Sequence, residues 1–292
     1  NPSLFGGEAL ASRCFSIPQW TYPPVTGRMP AKSAQLGSTE KSMAVIWRKK
    51  VEDKLYELRT AGNSRRLYTD GVFHSQYNPK QLFTGSIWDL LTLPGLFLLD
   101  QGPLRILMLG VGGGTSILQL NTILKPSHIV GIEWDKTHIS IAKRFFGLNQ
   151  HNIELIYDDA ERWLRNYSGS PFDLIIDDLF CEHNNEPVRA VPANTQWFTQ
   201  LLIQLSPKGL IVQNHISARS FRHCAYFQDP SIHCQFKSAF RIHASNIDNI
   251  VGVFCKQALK KSDLLTRLTG LRQLPVSINR YKLDFVLRKI SY

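Results

Sequence analysis

No two of the five cysteines, Cys14, Cys181, Cys224, Cys234 and Cys255, stand in a C-x-x-C pair, and their number is odd. Neither a disulfide framework nor a zinc knuckle has that spacing, so the chain reads as one from a reducing, cytoplasmic compartment. Paired metal ligands are scarce as well. His223-Cys224 and His233-Cys234 match no zinc pattern, and no metal is expected. Long apolar runs are missing too. Leu90 to Leu99 has about half the roughly 20 residues that a membrane span requires, and Pro94 and Gly95 interrupt it, so no membrane contact is expected.

Positive charge, by contrast, is in excess: 34 Lys+Arg stand against 23 Asp+Glu, a net charge of +11. The clusters Arg48-Lys49-Lys50, Arg65-Arg66 and Lys260-Lys261 favour anionic partners. No aromatic-interleaved nucleic-acid motif accompanies them, so a solvated basic surface is preferred over binding of nucleic acid. A hydrophobic content of 43% over 292 residues supplies one large core, or a main domain with a small one.

Residues 1–42 are rich in Pro, Gly, Ser and Ala, have no period, and read as a flexible leader without chemistry. Glu8 and Glu40 are its only acids, yet it lacks the amphipathic, Arg-rich character of a transit peptide. From 43 to 80, "MAVIWRKK", "KLYELRT" and "RRLYTDGVFHSQ" read as the strands of a small N-terminal β-domain. "NPKQLFTGSIWDLLTL" then predicts a helix with Leu82, Ile87, Leu90 and Leu91 on one face.

The remainder, 81–292, alternates strand and helix. "RILMLG", "HIVGIEW", "IELIYD", "FDLIIDD" and "GLIVQNHI" are apolar strands, and helical patterns separate them. Strands buried on both faces belong to a doubly wound, mostly parallel α/β sheet of the Rossmann-like kind. "IDNIVGVFCK" and "YKLDFVLRKI" add late strands, the first completing the sheet in antiparallel fashion.

In such a sheet, ligands bind outside the carboxyl ends of the strands. The first strand runs into Gly110, Gly112, Gly113 and Gly114, and Thr115 stands where a G-x-G-x-x-G fingerprint has its last glycine. That departure weakens a nicotinamide reading. Glu133, at the end of the second strand, is placed to accept from ribose hydroxyls. Asp158 and Asp159 end the third strand, where a carboxylate can accept from an adenine amine. Asp177 and Asp178 end the fourth. Any one of these acids has an ordinary reading as a cap or turn residue. Glycine or acid at one edge of four successive strands points to a nucleoside site.

These segments resemble the spermidine synthase, or polyamine aminopropyltransferase, family within the class I S-adenosylmethionine-dependent methyltransferase fold. The likeness covers roughly 67–256. "YTDGVFHSQ" is similar to the family's "LDGV(I/V)Q" strand, "LMLGVGGGT" to its glycine loop and "VGIEWDKTHISIAKRFF" to its ribose-binding segment. "IELIYDDAERWL", "FDLIIDDLF" and "IDNIVGVFCK" are similar to later family segments. The resemblance implies a small β-domain before a Rossmann-like domain. Members commonly form dimers or tetramers, partly through that β-domain, so it also allows a homodimer.

The residues of aminopropyl transfer are the ones that differ. Where the family's loop carries an Asp for the donor's amine, this chain has Gly113; its amine-positioning Tyr falls on Phe83. The family's catalytic Asp is matched by Asp178, but the second Asp of its "DSSD" falls on Cys181 and a late Tyr on Ser245. A diamine needs several carboxylates to offset its desolvated ammonium groups. Without the loop Asp, the carboxylate of S-adenosylmethionine is no longer repelled, and the turn's amides are free to receive it.

The favoured reading is therefore an S-adenosylmethionine-dependent methyltransferase with a small-molecule acceptor of unknown identity. Asp178 serves as general base or orienting group, with Asp177 after it. Gly110, Gly112, Gly113, Gly114, Glu133, Asp158, Asp159 and His74 form the expected cofactor set. His74, Trp88 and the segment 181–198 are candidates for acceptor contacts. The alternatives are an aminopropyltransferase using decarboxylated S-adenosylmethionine and a non-catalytic nucleoside-binding protein.

Overall fold

The computed structural model describes residues 43–183, 186–271 and 283–291, so the expected leader, 1–42, lies outside the described residues. The N-terminal part is a four-stranded antiparallel sheet in the order β1 (Ala44–Val51), β2 (Lys54–Ala61), β3 (Ser64–Thr69) and β4 (Val72–Tyr77). β3 and β4 are separate strands around a turn at Asp70-Gly71, where both residues have positive φ. Tyr68 pairs with Phe73 and Leu67 with Ser75, so His74 is one residue too many on β4. A bulge of this kind re-aims side chains. Here it lets Ser75 face the interior while Phe73 stays exposed.

The predicted helix over 78–93 is shorter in the structure: α1 spans Ile87–Thr92 and runs into a 3-10 segment, Leu93–Leu98. The preceding residues do other work. The Asp89 carboxylate accepts from the N–H groups of Thr84, Gly85 and Ser86 at 2.8, 2.6 and 3.2 Å. Gln119 Nε2 takes the carbonyl of Leu82 at 2.9 Å. A backbone spent in this way cannot close helical turns.

The main sheet has eight strands in the order β14-β12-β13-β11-β8-β5-β6-β7. Five are parallel: β5 (Arg105–Leu109), β6 (His128–Glu133), β7 (Ile153–Tyr157), β8 (Phe172–Asp177) and β11 (Leu205–His215). A short hairpin, β9 (Phe180–His183) with β10 (Glu186–Arg189), follows β8. β12 (Ser238–Ala244), β13 (Ile247–Cys255) and β14 (Val286–Lys289) complete the sheet in antiparallel fashion. The helices are α2 (Thr115–Leu124), α3 (Lys136–Phe145), α4 (Ala160–Asn166), α5 (Thr195–Ile203), the short α6 (Ala218–Arg222), α7 (Ala225–Gln228) and α8 (Pro230–His233), and α9 (Lys261–Gly270).

Both faces of the sheet are apolar, as the continuous hydrophobic strands demand. Ile106, Met108, Leu174, Ile176 and Val212 pack with Ile117 and Leu120 of α2 on one side. Leu107, Leu109, Ile175 and Ile211 pack with Trp197, Phe198 and Leu201 of α5 on the other. This is the doubly wound α/β sheet with a preceding β-sheet. Among the described residues no helix is long and apolar enough to cross a membrane.

Candidate nucleoside and acceptor site

Backbone bonds between the carboxyl ends of neighbouring strands build the site's edge. Asp178 N–H donates to Leu109 O at 2.9 Å, Gly110 N–H to Ile132 O at 3.0 Å, and Asp158 N–H to Glu133 O at 3.2 Å. Asp178, the glycine turn, Glu133 and Asp158 therefore stand in one row across β8, β5, β6 and β7. Gly110 has φ 84°, and a Cβ there would run into the carbonyl of Asp178. Only glycine permits that turn and that approach.

Glu133 is 4% exposed. Its Oε2 accepts from Val111 N–H at 2.9 Å and Gly112 N–H at 2.8 Å, and its Oε1 from Asp135 N–H at 3.0 Å. A carboxylate offers about four acceptor positions, so one remains for a ligand hydroxyl. The other turn amides are occupied too: Gly113 N–H donates to Ser75 Oγ at 2.7 Å and Gly114 N–H to Val111 O at 2.8 Å. The expectation that these amides receive a ligand carboxylate is corrected here, because each already has an internal acceptor.

The bulged strand β4 backs this turn. Thr115 Oγ1 donates to Gln76 O at 2.9 Å and accepts from Gln76 N–H at 3.2 Å. A Cβ on Gly113 would lie 2.7 Å from Ser75 Cβ and 3.1 Å from Phe146 Cζ. No side chain fits there without repacking. His74 lies against the His138 ring, 4.8 Å between centroids, and burial, then the neighbouring His138, push its pKa down to about 3. It is a neutral imidazole at neutral pH. His138 Nε2 in turn meets Thr69 Oγ1 at 2.8 Å, and Tyr56 O–H donates to Asp135 Oδ2 at 2.7 Å.

The two members of each acid pair have different partners. Asp159 caps α4, accepting from Arg162 N–H at 2.8 Å, while Asp158 is ion-paired with the Arg162 guanidinium and keeps part of its side chain in solvent. Asp177 is fully buried. Its Oδ2 accepts from Arg189 Nη2, Trp197 Nε1 and Gln213 Nε2, each at 2.7 Å. That is the environment of a charge holding structure together.

Asp178 keeps some solvent contact, and its Oδ1 accepts from Asn214 Nδ2 at 2.7 Å. Desolvation pushes its pKa up to about 6 against the opposing Asn214 hydrogen bond, with Asp177 and Glu133 adding to the rise and Arg189 resisting it. A carboxyl at that value is a base at neutral pH with little cost in proton affinity.

Of the other sequence candidates, Trp88 is buried, edge-on to Phe73 at 5.1 Å, and Phe83 is fully buried in the core. Ser245 O–H donates to Asp284 Oδ2 at 2.6 Å. Residues 184–185 of the segment after β8 lie outside the described residues. Three side chains at this edge were not singled out in the sequence, Ser75, Asn214 and Asn249, while Arg189 lies within the segment 181–198 named for acceptor contacts. The signal for Asn214 is in the sequence, because "VQNH" ends its strand at the same edge as Asp178. Among the described residues, no group of three or more His, Cys, Asp or Glu side chains is placed to hold a metal.

Residues 101–262 match a family model described as a methyltransferase domain. Polyamine aminopropyltransferase 2 of Caldanaerobacter subterraneus is 27% identical over 57% of the chain and 54% of its own length. The polyamine aminopropyltransferase of Vibrio vulnificus is 30% identical over 44% of the chain and 42% of its own length. The chain thus spans about half the length of these curated relatives. Among solved structures, a probable spermidine synthase from Corynebacterium glutamicum superposes with a TM-score of 0.65 at 17% identity, covering 84% of this chain and 91% of that one. Thermotoga maritima spermidine synthase gives 0.58 at 12% identity, with 80% of each chain covered. Likenesses at that identity establish the fold.

Proposed function

Since the chain belongs to the methyltransferase-domain family, we propose that it is a transferase using a sulfonium nucleoside of the S-adenosylmethionine type, and that the group it passes on is methyl. The row formed by Asp178, the glycine turn, Glu133 and Asp158 carries the reading. It offers the close approach of Gly110, a ribose-directed acceptor position on Glu133 and an outward carboxylate on Asp158. A sulfonium nucleoside supplies an electrophilic carbon beside a positively charged sulfur. The chain's own part is to hold the acceptor in line and take its proton. Asp178 does so at Oδ2, because Oδ1 is engaged by Asn214.

Methyl is favoured over aminopropyl by Gly113. With Ser75 and Phe146 filling the space beside it, no carboxylate at that position reaches the donor's amine. Asp177, neutralised by Arg189, adds no free charge for a second ammonium group. The names of the relatives favour a second reading, aminopropyl transfer from decarboxylated S-adenosylmethionine. The acceptor in either case is a small molecule bearing an amine or hydroxyl.

The departing nucleoside distinguishes the two. Incubated with each donor and a panel of diamines, triamines and simple amines, the protein is expected to release S-adenosylhomocysteine. Release of methylthioadenosine instead would overturn the methyl assignment. Asp178→Asn should lower the turnover by about 100-fold or more. Its stability should not fall, because a carboxyl whose pKa rises on folding costs stability at any pH above its unfolded value.

A further inference from the structure

We infer that Asn214 and Asn249 are positioning residues, a directional chain of amides across β13, β11 and β8 that fixes which oxygen Asp178 presents to the acceptor. The inference rests on the reading that Asp178 faces the acceptor. An amide side chain has a donating end and an accepting end, and its partners decide which way it points. Asn249 Nδ2 donates to Asn214 Oδ1 at 3.0 Å, so the NH2 end of Asn214 is the end that meets Asp178.

Asn214 is also held by its main chain. Arg189 Nη1 donates to the Asn214 carbonyl at 2.6 Å, while Nη2 of the same guanidinium sits on Asp177. The backbone is pinned from the β9–β10 hairpin and the side chain from β13, so neither can drift when the acceptor arrives.

The direction matters for the chemistry. With the amide donating, Asp178 Oδ1 is occupied and the carboxylate is stabilised as the base, leaving Oδ2 for the acceptor's proton. Turned by half a rotation, the same amide would aim its carbonyl oxygen at Asp178 and favour the protonated acid. The other charged groups acting on Asp178 are Asp177 beside it on β8, Glu133 on β6 and Arg189 on β10. None of them lies on β13, so removing Asn249 changes no charge in that set.

The test is the titration of the Asp178 carboxyl, read by NMR on protein labelled with carbon-13 at aspartate and assigned by the signal lost in Asp178→Asn. Asn214→Leu should raise the midpoint by about one pH unit or more, the worth of a hydrogen bond to a charged group. Asn249→Leu should move it in the same direction by less, although Asn249 does not touch Asp178. Should Asn214→Leu fail to fold, Asn214→Ala carries the same expectation, since it removes the donor to Asp178, and Asn249→Leu still carries the smaller rise. An unmoved midpoint in Asn249→Leu would overturn the directional chain. The titration uses no substrate, so it stands apart from the functional reading. A chain that titrates as expected in a protein that transfers no group would overturn the role of Asp178 and leave the positioning intact.

Discussion

Along β5, β6 and β7 the site is joined backbone to backbone, Gly110 to Ile132 and Asp158 to Glu133. Along β8, β11 and β13 it is joined side chain to side chain, Asp177 to Arg189, Trp197 and Gln213, and Asp178 to Asn214 to Asn249. The proposed donor edge therefore depends on strand order and on a few glycines, with the Glu133 carboxylate and the Ser75 hydroxyl accepting from the amides of its turn. The proposed acceptor side depends on particular side-chain pairs far apart in the chain, so a single replacement there is expected to change its chemistry. Asp177 and Asp178 show the contrast within two residues: one is fully buried with three donors on its Oδ2, the other keeps solvent contact and takes a single side-chain donor, Asn214, on its Oδ1.

The comparison can be broken most forcefully at Arg189. Arg189→Met leaves the carboxylate of Asp177 buried without its cation, a loss of about 3–5 kcal/mol. For a chain of this size the melting temperature should fall by on the order of 10 °C. A melting temperature that stays put would mean that side-chain pairs do not hold the acceptor side. The donor edge is expected to give way less. Gly113→Ala forces a methyl group against Ser75 and should cost about 1–3 kcal/mol, which Ser75→Gly in the same chain restores only in part, because it relieves the contact but removes the Oγ that accepts from the residue 113 N–H, both read by denaturant unfolding. With that space opened, Gly113→Asp should move donor preference toward the decarboxylated nucleoside.

The same contrast explains what the sequence could reveal. Apolar runs such as "RILML" and "LIVQ" state their burial on both faces, and the parallel sheet follows from them. The glycine turn and Glu133 were legible because their spacing is local. The helix expected over 78–93 was cut short by the Asp89 carboxylate and by Gln119, which lies 37 residues from the carbonyl it takes. Asp178 is placed ahead of Asp177 only by the family resemblance, because nothing near them in the chain tells their surroundings apart. Their difference comes from Arg189, Trp197, Gln213 and Asn214, which only the folded register brings together. The occupied amides of the turn were hidden for a similar reason, since Ser75 reaches Gly113 from the other sheet.

The most direct measurement is the thermal stabilisation of the protein by S-adenosylmethionine and by its decarboxylated form, side by side, in the wild type and in Glu133→Ala. At about 100 times its Kd a donor adds roughly 2.7 kcal/mol. The melting temperature of a chain this large should rise by roughly 2–4 °C for each kcal/mol. A rise with S-adenosylmethionine that exceeds the rise with the decarboxylated donor and disappears in Glu133→Ala is the predicted result. Equal stabilisation of Glu133→Ala, or none of the wild type by either nucleoside, would contradict the donor site.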